Sequence, residues 1–135
     1  MCELCEKTGG ELVWESETCR VVLVEDADYP GFCRVILNRH VAEMSDLPEN
    51  ERMALMKVVF AVEEAVRSAL VPDKVNLASL GNVTPHLHWH VIPRFESDRH
   101  FPNPIWGHAM RSESVPLAPG WRPGLVSKIR AALSA

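Results

Sequence analysis

Short apolar runs bounded by turn residues open the chain. Val13-Trp14 and Cys19-Arg20-Val21-Val22-Leu23-Val24 read as two strands, the second rich in β-branched residues. Glu25 to Gly31 reads as a turn, with Pro30 and Gly31 adjacent, and Phe32-Cys33-Arg34-Val35-Ile36-Leu37 as the next strand, a plausible antiparallel partner. The period then changes. Met53, Met56, Val59, Phe60, Val66 and Leu70 recur at helical spacing. Before them, Asp46-Leu47-Pro48-Glu49 offers an N-cap carboxylate, a first-turn proline and a glutamate at the capping-box position. Pro72 stops this helix. Val75 to Ser79 is a short strand, Gly81 to Pro85 a loop, and His86 to Ile92 a strand ended by Pro93. From residue 95 to about 120 the pattern is irregular, with Pro102, Pro104, Gly107, Pro116, Pro119 and Gly120. Leu125, Val126, Ile129 and Leu133 predict a short C-terminal helix. Several strands around one long helix, without regular βαβ alternation, predict an α+β domain.

Composition narrows the class. A chain of 135 residues, 47% apolar and 24% charged, suits one domain with a real core rather than a disordered segment. Its formal net charge of -4 argues against a broad nucleic-acid or anionic-membrane surface. No apolar run approaches the roughly 20 residues that span a bilayer. The N-terminus lacks a basic and then hydrophobic leader, so a cytoplasmic location is expected. Four cysteines then read as thiols or metal ligands rather than a disulfide framework.

The densest chemistry lies at His86-Leu87-His88-Trp89-His90. In a strand these imidazoles share one face, with same-face neighbours roughly 6.6 Å apart, while Leu87, Trp89 and Val91 face the core. A neutral imidazole offers one nucleophilic nitrogen while its other N–H fixes the tautomer. The same spacing also suits a three-histidine zinc site. Gly81-Asn82-Val83-Thr84 lies just upstream, where backbone N–H groups and an amide could meet phosphate oxygens. Cys2 and Cys5 form Cys-x-x-Cys, half of a tetrahedral zinc site, a redox dithiol or two ordinary thiols. Cys19 and Cys33 lie in strands and read as core thiols.

The run His86-Leu-His88-Trp-His90-Val-Ile resembles the histidine triad (HIT) signature, His-x-His-x-His followed by two apolar residues. The resemblance extends through Gly81-Asn82-Val83-Thr84-Pro85, Pro93-Arg94 and Val35-Ile36-Leu37-Asn38-Arg39-His40-Val41. It implies an antiparallel sheet of about five strands with one long and one short C-terminal helix, in a single domain. The core would span about 1–95, with the loop and last helix over 96–135. It implies a homodimer that splits dinucleoside polyphosphates, nucleoside phosphoramidates or similar conjugates at the α-phosphate. His88 would be the nucleophile, and His90 would supply the carbonyl that orients it and help hold the phosphate. Asn76, Gly81 and Asn82 would meet phosphate, and Asp26 the ribose hydroxyls. Some relatives bind zinc through a cysteine pair and two histidines, which map to Cys2, Cys5, His40 and His86. A nucleotidyltransferase and a zinc-stabilised nucleotide-binding module are the rival functions. Many relatives carry a histidine where this chain has Phe32 after Gly31. In the irregular segment, His100, His108, Arg99 and Arg111 are solvated or, with Trp106, cap a substrate.

Overall fold

The alternating runs of the first forty residues become three strands in a computed structural model that describes residues 2–134. They are β1 (Glu11–Glu15), β2 (Cys19–Leu23) and β3 (Cys33–Leu37). The chain then makes a 3-10 turn (Met44–Asp46) and helix α2 (Glu49–Leu70) before β4 (Lys74–Ala78) and β5 (His88–Arg94). A four-residue helix, α1 (Glu3–Glu6), precedes the sheet, and α3 (Trp121–Leu133) follows it. All neighbouring strands are antiparallel, in the order β1-β2-β3-β5-β4. The α+β architecture with five strands is as the sequence predicts; α1, formed around the two N-terminal cysteines, was not foreseen.

One face of the sheet holds the main core. Val21, Leu23, Cys33, Val35, Leu37 and Val91 pack with α2 and with Leu125 and Ile129 of α3. Cys19 and Cys33 are buried thiols, as expected, and the four cysteines are unpaired. The expected helix face needs correction. Leu55, Val59, Val62 and Val66 are fully buried, whereas Met53 and Phe60 are more than half exposed. The stripe is therefore rotated toward the β-branched residues, which fit the flat sheet better than the longer side chains do. The helix start also differs: Pro48 is the N-cap, without a side-chain cap, and Asp46 belongs to the 3-10 turn. Its side chain has no acceptor, and the Pro48 carbonyl instead accepts from Glu51 N at 3.0 Å and Arg52 N at 3.1 Å. At the other end Val71 takes a left-handed conformation (φ 48°) before Pro72, a costly setting for a β-branched residue.

Strand β5 begins two residues later than predicted and runs through Pro93 to Arg94. The proline is tolerated because β3 pairs only with His88 to Val91, so that side of β5 is unpaired beyond Val91. His86 lies in the bend before the strand rather than in its alternation. No helix among the described residues is long and apolar enough to cross a membrane.

Candidate active site and metal centre

The second sheet face carries the polar chemistry. Alternation from His88 puts His90, Ile92 and Arg94 on that face, and cross-strand register adds Arg34, Ile36, Asn76 and Ala78. Two small apolar clusters cover parts of it. Leu4 of α1 packs on Val22 and Ile36, while Tyr29 and Phe32 pack on Ile92. Between them lie the two strand histidines, both buried.

Their rings are edge to face with centroids 4.9 Å apart. His88 Nδ1 lies 2.6 Å from the carbonyl oxygen of His86. A carbonyl only accepts, so Nδ1 carries the proton and Nε2 keeps its lone pair. The orienting carbonyl is therefore that of His86, not of His90 as expected: the bend before β5 folds it back under the ring. Burial lowers the pKa of His88, against the opposing effect of that hydrogen bond. Burial, with help from His88 and Arg34, pushes His90 down to about 4. Both rings are thus neutral at neutral pH. Among the described residues His90 Nδ1 has no hydrogen-bond partner, although it is buried. Its ring meets Phe32 at 5.5 Å and Trp106 at 5.0 Å, centroid to centroid.

The predicted phosphate-side residues divide. Gly81 (φ 74°) shares a cleft of about 370 Å³ with Ser79, His86 and His88. Ser79 Oγ donates to the His88 carbonyl at 2.7 Å, tying the end of β4 to the start of β5. Asn82 is exposed in the loop beyond. Asn76 lies on the histidine face, and its Oδ1 accepts from Arg94 at 2.8 Å. Its remaining capacity is the NH₂ donor, which suits an anion. Asn76, Ala78, Arg94, Pro104 and Trp106 line a second cleft of about 550 Å³. Asp26 is held in its own turn by the Asp28 N–H at 3.0 Å, and lines a separate depression with Trp121 and Arg122. The structure does not bring it to Asn76 or Trp106.

The irregular segment is well tied. Asp98 is buried against Arg94, with Nε to Oδ2 at 2.7 Å. Its Oδ1 also accepts from Phe101 N at 2.7 Å, and Oδ2 from Phe95 N at 3.1 Å. These bonds hold its carboxyl below the ordinary range despite burial. Arg94 donates further to the Asn103 carbonyl at 2.6 Å, and Tyr29 Oη meets His100 Nδ1 at 2.5 Å. The segment is thereby set so that half-exposed Trp106 stands over His90. Arg99 and His100 are not free loop residues: Arg99 pairs with Asp28 at 3.2 Å. Arg111 donates to the Phe101 carbonyl at 2.7 Å. The sequence reading missed Arg34, Arg94, Asp98 and Tyr29. For Arg34 the signal was a lone charge on an alternating strand, and for Arg94 and Asp98 a pair four apart; Tyr29 gave none.

At the N-terminus, ligand atoms of Cys2, Cys5, His40 and His86 all lie within 4.8 Å of one another. Cys2 Sγ and Cys5 Sγ are 3.3 and 3.4 Å from His86 Nδ1. His40 Nδ1 is 3.5 Å from Cys5 Sγ and 3.3 Å from His86 Nδ1. A tetrahedron at ordinary Zn–S and Zn–N bond lengths has edges of about 3.3–3.8 Å. Two thiols and two imidazoles thus fit zinc in both chemistry and spacing. His86 Nε2 lies 2.6 Å from the Leu37 carbonyl, which fixes the ring so that Nδ1 faces the other three. Arg20 braces the knuckle, donating to the carbonyls of Leu4 at 2.7 Å and Thr8 at 3.0 Å.

The family model for the HIT domain matches residues 7–97. An uncharacterized HIT-like protein of Methanocaldococcus jannaschii is 27% identical over 107 residues, 73% of this chain and 82% of its own. An AP-4-A phosphorylase of Mycobacterium tuberculosis is 30% identical over 84 residues, 58% of this chain but only 43% of its own. Among solved structures, a histidine triad protein of Bradyrhizobium japonicum superposes with TM-score 0.77 at 28% identity, covering 95% of this chain and 93% of its own. A zinc-bound histidine triad family protein of Mycobacterium smegmatis shares the fold, with TM-score 0.63, 21% identity and coverage of 98% and 93%.

Proposed function

The chain belongs to the HIT domain family, and from that premise we propose that it cleaves nucleotide conjugates at the α-phosphate through a nucleotidyl-histidine on His88. The carrying observation is the 2.6 Å bond from His88 Nδ1 to the His86 carbonyl. It leaves Nε2 as the nucleophilic nitrogen beside the Gly81 cleft. In the first step Nε2 bonds to the α-phosphorus, and the bond from phosphorus to the leaving group breaks. In the second, water attacks the same phosphorus, the P–N bond breaks, and a nucleoside monophosphate leaves. His90 is neutral beside the attacking ring and lends no positive charge to it. Asn76, Gly81 and Asn82 supply donors for phosphate oxygens, whereas Asp26, in its separate depression, is not part of this proposal.

The likeness to an AP-4-A phosphorylase favours one rival: phosphate, rather than water, accepts the nucleotidyl group and releases a nucleoside diphosphate. Dinucleoside polyphosphates are accordingly the first substrates to try. Zinc, when bound by Cys2, Cys5, His40 and His86, supplies a structural cross-link and takes no part in either step. We further read the protein as a cytoplasmic homodimer. β4 is an edge strand with one neighbour, and Leu77 on it is 39% exposed.

The test is brief incubation with AP-4-A and with nucleoside phosphoramidates, followed by intact-mass measurement. A nucleotidyl adduct on the wild-type protein, absent from His88→Ala, is expected. His88→Ala should lose turnover and still bind nucleotide. Full residual turnover in that variant would refute the nucleophile assignment. Added inorganic phosphate that converts the product from monophosphate to diphosphate would establish transfer instead of hydrolysis.

A further inference from the structure

Three arginines stand on the histidine face of the sheet, and two are fully committed. Arg20 donates to Leu4, Lys7, Thr8 and Asn38. Arg94 donates to Asp98, Asn76 and Asn103. Arg34 differs. Among the described residues its one hydrogen bond runs from Nη1 to the Gly9 carbonyl at a long 3.3 Å. Its Nε is buried without a protein partner. The Nε–Nη2 edge is the fork that takes a phosphate bidentately, and here it is uncommitted among the described residues.

Position gives that vacancy meaning. Arg34 is the direct cross-strand partner of His90, whose Nδ1 is likewise buried and unpaired. Two orphaned polar groups thus stand side by side on adjacent strands, next to the ring of His88. Buried unsatisfied donors are costly, and a charged one most of all. Among the described residues no carboxylate forms a salt bridge with this guanidinium, although the charge of Glu3 acts on it from a distance, and its carbon sits 5.8 Å from the Phe32 ring centroid. Its charge reaches both histidines and opposes their protonation.

We propose that Arg34, with His90 beside it, forms a phosphate subsite of the nucleotide pocket and donates through its Nε–Nη2 edge to non-bridging phosphate oxygens of the substrate. This rests on the reading of the protein as a nucleotide-cleaving enzyme. It adds a specific requirement: the cation that neutralises the substrate comes from the middle of β3, not only from neutral donors on the Gly81 loop. Bound substrate satisfies the fork.

Equilibrium binding separates this role from a merely structural one. AMP, GMP, CMP and UMP, with the four matching nucleosides, are titrated into the wild-type chain, Arg34→Met and Arg34→Lys. A charge-assisted phosphate contact predicts that Arg34→Met weakens the preferred monophosphate about tenfold to a hundredfold. The matching nucleoside should bind as before, and Arg34→Lys should recover part of the loss. Monophosphate binding within twofold of wild type in both variants overturns the assignment of Arg34 alone. Equal weakening of nucleoside and monophosphate also overturns it, because a distorted pocket explains that result. A wild-type protein that binds none of these nucleotides overturns both this assignment and the function it rests on.

Discussion

His88 and His90 show how burial prepares a base. The fold favours the uncharged rings, because burial and Arg34 disfavour protonation of both, and His88 adds to the effect on His90. A histidine whose folded pKa is depressed binds fewer protons in the folded than in the unfolded state. Its contribution is complete above the unfolded value, about 6.5, and is lost as pH falls toward the folded value, about 4 for His90. The urea midpoint should therefore fall between pH 7 and pH 4, and His90→Asn should reduce that fall. An unchanged slope would show that another group carries it. Of these residues, the histidine spacing was legible in the sequence because alternate positions of a strand share a face. The carbonyl that orients His88 was not, because it depends on a bend that places residue 86 outside the strand. Arg34 was invisible for a related reason: an arginine between Cys33 and Val35 looks like an ordinary outward position until the register pairs it with His90.

Elements were legible where one period dominates, and less so where tertiary contacts choose among similar faces. In α2 the spacing places Val59 and Val66 in the core and Met56 against it, but Leu55 and Val62 complete the stripe while Met53 and Phe60 face out. In sequence Pro93 marks a strand end, but β3 stops pairing at Val91 and so removes the penalty. The irregular 95–111 segment carries no period at all. Its order comes from one buried carboxylate, Asp98, which joins Arg94 to three backbone N–H groups. Asp98→Ala leaves a buried guanidinium unpaired and should cost about 3–5 kcal/mol in chemical denaturation. Tryptophan fluorescence should also change, since Trp106 is held over His90 by this segment. Asp98→Asn keeps the backbone acceptor and should cost less.

The whole molecule is a sheet with a packed face and a chemical face, and its two edges differ. α3 packs against β1, where Arg130 donates to the Val13 carbonyl at 2.9 Å. β4 has no such cover, and Leu77, Met53 and Phe60 are exposed. Light scattering at micromolar concentration should give a dimer, and Leu77→Lys, at the uncovered edge, should shift it toward monomer; a wild-type monomer would reject the homodimer reading. Protein purified without chelators should carry close to one zinc per chain, and Cys5→Ser should reduce that content severely. Metal analysis that finds no zinc would remove the centre. His86 joins these two halves of the face: its side chain belongs to the Cys2–Cys5–His40 cluster, and its carbonyl holds the tautomer of His88. Substitutions in that cluster and at His88 should consequently fail to add. Once Cys5 is lost, a change at His88 removes a group that is already poorly aligned, so the double variant is scarcely worse than the single one. Residues 2, 5, 40, 86 and 88 thus form one unit of inheritance, in which a change at any of the first four is felt at the last.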